Sequence, residues 1–77
     1  MKLNQSKIQD YWFGKIFLPD VIATYGDIPR GSKAYEAIAD YLRTIRRKFL
    51  DGAGYIFVDD VDKAVQDLCK KHGVKGV

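Results

Sequence analysis

Apolar positions recur along most of this chain with the period of a helix, and crowd together in one short stretch as they do in a strand. Tyr35, Ile38, Leu42, Ile45 and Phe49 follow one another at spacings of three and four, with Ala34 alongside, which predicts a long amphipathic helix. Ser32 stands ahead of it as an N-cap, and Asp51-Gly52-Ala53-Gly54 breaks it. Val61, Ala64, Val65, Leu68 and Cys69 form a second stripe, with Asp59 or Asp60 as its cap and Gly73 at its close. Asp62 in the first turn and Lys70 and Lys71 in the last suit the dipole of that helix.

The N-terminal third is patterned less cleanly. Ile8, Tyr11, Trp12 and Ile16 lie at helical spacing behind a cap at Asn4 or Ser6, which predicts a helix to about Lys15. Gly14 weakens its end, and the Tyr11-Trp12-Phe13 cluster equally reads as the start of a strand through Phe17. Leu18-Pro19-Asp20 opens a fresh segment, since proline and aspartate both suit a first turn. Val21, Ile22 and Tyr25 give it an apolar side over about two turns, and Gly26 ends it. Two glycines and a proline then make Gly26-Asp27-Ile28-Pro29-Arg30-Gly31 an exposed loop.

Tyr55-Ile56-Phe57-Val58 is aromatic and β-branched, and behind the Gly52 and Gly54 hinge it reads as a strand. A strand needs a partner for its backbone groups, here the Trp12 to Leu18 region or the stretch near Ile28. The expected fold is α+β: three to four helices with a minimal two-stranded sheet. A chain of 77 residues makes one small domain, with its core over about residues 6–72 and a frayed tail over 74–77.

An apolar content of 47% and a charged content of 30% exclude intrinsic disorder. The single cysteine, Cys69, makes no intramolecular disulfide, and with no paired CxxC and no secretory leader a reducing, cytoplasmic setting fits best. The longest apolar candidate, Trp12 to Ala23, is broken by Lys15, Pro19 and Asp20, so a soluble protein is expected.

The net charge of +3 is unevenly spread. Residues 32–50 carry five basic and two acidic side chains, whereas residues 51–77 carry four basic and five acidic. The positive excess falls on the long middle helix, and an anionic partner is favoured.

Catalytic signatures are missing. Asp59, Asp60 and Asp62 lack the glycine and distal glutamate of a calcium loop and serve as caps and dipole partners. His72 has no second ligand at metal spacing, and Cys69 sits on an apolar stripe as a small buried hydrophobe. Ser6, Thr24, Ser32 and Thr44 have no nucleophile motif, and Gly31, Gly52 and Gly54 follow no phosphate-loop pattern. No enzyme, cofactor or metal is expected.

The candidate chemistry lies at the end of the middle helix. Lys33, Glu36, Asp40, Arg43 and Arg47 share the face opposite the apolar stripe, with Arg46 and Lys48 at its margins. Arg43 and Arg47, one turn apart, suit successive phosphates or a base edge, and Arg46 and Lys48 reach sideways. Lys33 and Arg30 extend the candidate nucleic-acid-binding set, and Gly52 and Gly54 allow close approach to a sugar-phosphate backbone. The plainer account is a solvated helix end in which Asp40 pairs with Arg43 and the other cations answer the helix terminus. Tyr11, Trp12, Phe13 and Phe17 serve either as core or as a stacking platform for single-stranded bases.

Arg43-x-x-Arg46-Arg47, then Gly52-x-Gly54-Tyr55-Ile56-Phe57-Val58 and Asp62, resembles the end of the winged-helix domains of phage and transposon excisionases and MerR-type regulators. The resemblance covers about half the chain. It implies a winged-helix-like fold that binds double-stranded DNA, with Arg43, Arg46 and Arg47 on the recognition helix and Gly52 to Tyr55 in the wing. The middle helix is longer than that family's recognition helix, and the connector before it is longer than a tight helix-turn-helix uses. A regulator or recombination accessory factor is the expected role. The alternative is a small interaction module that inhibits or redirects a larger protein through Tyr11, Trp12, Phe13 and Phe17 or through the Asp59–Asp67 face.

Overall fold

The computed structural model describes residues 5–52 and 57–74. Four helices follow in order: α1 (Gln5–Trp12), α2 (Leu18–Ala23), α3 (Lys33–Leu50) and α4 (Val58–Lys71). Among the described residues there is no strand, so the α+β, winged-helix-like expectation with a two-stranded sheet is corrected to a helical domain. The reason is visible at Phe57 and Val58. Phe57 is extended (φ −83°, ψ 124°) as the N-cap of α4, and Val58 is already the helix's first residue. Neither supposed strand partner forms a strand: the Trp12 to Leu18 region begins and ends in helices, and near Ile28, which fills the core, Gly26 makes only an isolated bridge. The remainder of the proposed strand and wing, including Gly54, lies outside the described residues.

Asp59 and Asp60, expected as caps of α4, occupy its first turn instead. There they still face the positive end of the helix dipole. Gly73 does close α4: its N–H donates to the Lys70 carbonyl at 3.2 Å and that of Val74 to Cys69 at 2.8 Å. This paired closure brings Val74 back onto the core; residues 75–77 of the expected tail lie outside the described residues.

The capping of α3 follows the sequence. Ser32 Oγ accepts from the Tyr35 N–H at 3.2 Å and donates to the Pro29 carbonyl at 2.7 Å, joining loop and helix. At the far end Gly52 takes φ +70° and its N–H donates to the Phe49 carbonyl at 3.2 Å. α1 stops three residues short of Lys15. Gly14 adopts φ +76°, its N–H donating to Tyr11 at 3.0 Å while that of Lys15 donates to Asp10 at 2.7 Å, which completes a Schellman closure.

Ile8 and Trp12 from α1, Val21 and Ile22 from α2, Ile38, Ala39 and Leu42 from α3, and Val61, Val65 and Cys69 from α4 make one core. α3 and α1 each pack against all the other helices, whereas the backbones of α2 and α4 stay apart. Tyr25, just after α2, spans that gap. Its hydroxyl donates to Asp62 Oδ1 on α4 at 2.7 Å, and Gln66 Nε2 donates to Oδ2 at 3.0 Å. Among the described residues, no helix is long and apolar enough to cross a membrane.

Candidate nucleic-acid interface at the end of the long helix

The amphipathic register of α3 places its candidate cations on the outside. Arg43, Arg47 and Lys48 are exposed, and Arg46 at the margin is half-buried. That half-burial has a specific cause. Arg46 Nε donates to the Tyr11 carbonyl at 3.1 Å, and its guanidinium lies 5.3 Å from the centroid of the Tyr11 ring. A cation thus meets both an aromatic face and the carbonyl-rich C-terminus of α1. Arg46 pins α1 to α3 and sets the position of its neighbours.

Tyr11, Arg43, Arg46, Arg47, Leu50 and Asp51 line a pocket of about 270 Å³. Three guanidinium groups against one carboxylate leave its wall net positive. Arg43 Nη1 also reaches Asp40 Oδ1 at 3.4 Å, but both side chains are exposed and such pairs contribute little. Arg43 is therefore available to an anion. Arg47 and Lys48 sit in the last turn, where they also offset the negative end of the α3 dipole.

Other expected members are elsewhere. Lys33 begins α3, about 20 Å along the helix axis from Arg47, and Arg30 belongs to the loop before it. Both are exposed, yet neither lines the pocket. Gly52 is exposed at the end of α3, next to Asp51.

The aromatic cluster splits between core and surface. Trp12 is buried and stacks on Phe49 with centroids 4.9 Å apart, whereas Phe13 meets the same ring edge-on at 5.6 Å. Phe13 remains 65% exposed and Phe17 80%. Tyr11 is half-buried beneath Arg46. On the acidic side, Asp62 is buried while Asp60 and Asp67 are exposed, so the Asp59–Asp67 stretch forms no single acidic face. No group of three or more His, Cys, Asp or Glu side chains suited to a metal occurs among the described residues.

Sequence reasoning missed Tyr11 and Leu50 as companions of the arginines. Leu50 carried a signal, since it follows Arg43 and Arg47 at the i, i+4, i+7 spacing of one helix face. Tyr11 carried none, because its place depends on how α1 crosses α3.

The chain matches no protein-family model, no curated protein and no solved structure. Its functional reading rests on its own residues.

Proposed function

We propose that this protein binds double-stranded DNA on the basic end of α3, as a regulator or recombination accessory factor. The observation that carries the reading is the convergence of Arg43, Arg46 and Arg47 on one pocket, with Lys48 exposed beside it. In it Arg43, Arg47 and Lys48 meet phosphates, which position a duplex without reading its sequence. Arg46 holds the end of α1 against them.

Fluorescence anisotropy on a labelled mixed-sequence duplex tests the proposal. Three phosphate contacts give a log–log dependence of affinity on salt with a slope of about −3, and Arg43→Glu with Arg47→Glu removes most of the binding. Absence of binding at about 50 mM salt sinks it.

A second reading, a protein-interaction module, is favoured by the exposure of Phe13, Phe17, Leu50 (57%) and Phe57 (58%). Its binding would withstand added salt and fail on loss of the apolar side chains rather than the arginines.

A further inference from the structure

We infer that the pocket at the end of α3 takes an unpaired nucleotide, with Phe13 as its base-stacking surface, so that the protein prefers DNA with a single-stranded tail or opening to fully paired duplex. The inference rests on the phosphate-binding reading above and names the class of nucleic acid.

Three features of the site fit a nucleotide better than a bare phosphate. The first is its size: about 270 Å³ is close to the lower end for small-molecule sites. The second is its mixed wall. Arg43 and Arg47 supply donors for a phosphate, while Leu50 and Tyr11 supply apolar surface and Asp51 a carboxylate. A carboxylate repels phosphate but accepts hydrogen bonds from the base amines that a nucleotide brings.

The third is Phe13. It follows α1 directly, inside the Schellman closure fixed by Gly14 and Lys15, so its backbone is set. Trp12 already covers a face of Phe49, which leaves Phe13 an edge-on contact and most of its ring in solvent. Core packing does not account for an exposed phenyl here. Phe13 immediately precedes Gly14, where a Cβ would stand 3.9 Å from Arg46 Nη2 of the pocket wall, so ring and arginines lie at one end of the molecule. A positively charged groove with an aromatic ring at its side is how single strands are held without sequence preference.

The test uses the intact protein and four labelled oligonucleotides: a blunt duplex, the same duplex with a short single-stranded tail, that duplex with an abasic tail, and the single strand. The tailed duplex is expected to bind about five- to tenfold more tightly than the blunt one, with the gain lost when the tail lacks bases. Phe13→Leu keeps apolar bulk without an aromatic face and should abolish the gain; Phe13→Trp should retain it. Circular dichroism confirms that both variants are folded. Equal affinity for blunt and tailed duplexes, still sensitive to Arg43→Glu, overturns this inference and leaves the duplex reading standing. A gain that survives in Phe13→Leu or on the abasic tail also overturns it. Failure of all four oligonucleotides, or stronger binding to vesicles of anionic phospholipid, overturns both readings.

Discussion

Asp62 is the charged side chain in the buried set, and it is held from two sides, by the Tyr25 hydroxyl and by Gln66 Nε2. Since the backbones of α2 and α4 stay apart, the Tyr25 bond is a direct tie from the end of α2 to α4. Hydrogen bonds to a buried carboxyl are among the stronger ones, and removing the donor leaves the acceptor short of a partner. Tyr25→Phe should therefore destabilise the fold by about 1.5–3 kcal/mol, read as a lower urea midpoint at an unchanged slope. A loss below about 0.5 kcal/mol, the range of ordinary surface changes, would show that the pair does not hold α2 in place. The sequence carried a hint of this role. Asp62 stands three residues before Val65 and seven before Cys69, on their stripe, and only its proximity to the helix start made it resemble a dipole partner. Arg46 is the converse case: it reads as a free margin cation, yet its guanidinium is committed to Tyr11.

At the level of elements, the end of α1 decides where the candidate site forms. Gly14 holds φ +76°, a region that costs an L-residue about 1–2 kcal/mol, while a Cβ there would meet only Arg46 Nη2 at 3.9 Å, an ordinary contact. Gly14→Ala should thus lower stability by about 1 kcal/mol from backbone strain alone, and Gly14→Asn by less, since asparagine tolerates this conformation. Chemical denaturation of the two variants checks the order, and a reversed order would mean that side-chain crowding at Arg46 governs instead. The helices themselves were legible where a cap and a stripe agreed: Ser32 with Ile38 and Leu42, Pro19 with Val21 and Ile22, Val65 and Cys69 with Gly73. The supposed strand was misread because Phe57 and Val58 carry β-type side chains, and such preference is decided by what packs around them. With Asp59 and Asp60 following to suit a helix N-terminus, Val58 joins α4. The arginines of the site were visible in the pattern of α3, whereas Tyr11 comes to it through tertiary packing, which periodicity does not encode.

For the whole molecule, two acidic side-chain groups hold their protons more tightly in the fold than they do in water. Burial pushes the Cys69 thiol up, and burial followed by the neighbouring Asp60 carboxylate pushes the Tyr41 hydroxyl up. An unfolded chain gives up a thiol proton near pH 8.5 and a phenolic proton near pH 10, so above each value it binds fewer protons than the folded form. The stabilisation from both groups is complete below about pH 8.5 and is lost as pH rises through the raised values in the fold. Thermal stability should accordingly be flat near neutrality and decline above about pH 9, in two stages assigned to different residues. Cys69→Ala removes the earlier stage, although it also lowers stability at every pH by opening space in the core. Tyr41→Phe removes the later stage, and Asp60→Asn reduces it without affecting the first, because Asp60 acts only on Tyr41. Differential scanning fluorimetry from about pH 7 to 10.5 separates these contributions, since each variant is compared with its own plateau at neutral pH. An unchanged alkaline decline in the Cys69→Ala/Tyr41→Phe double variant would show that neither proton is its origin. Alkaline stability would then be governed by something other than the protons of Cys69 and Tyr41.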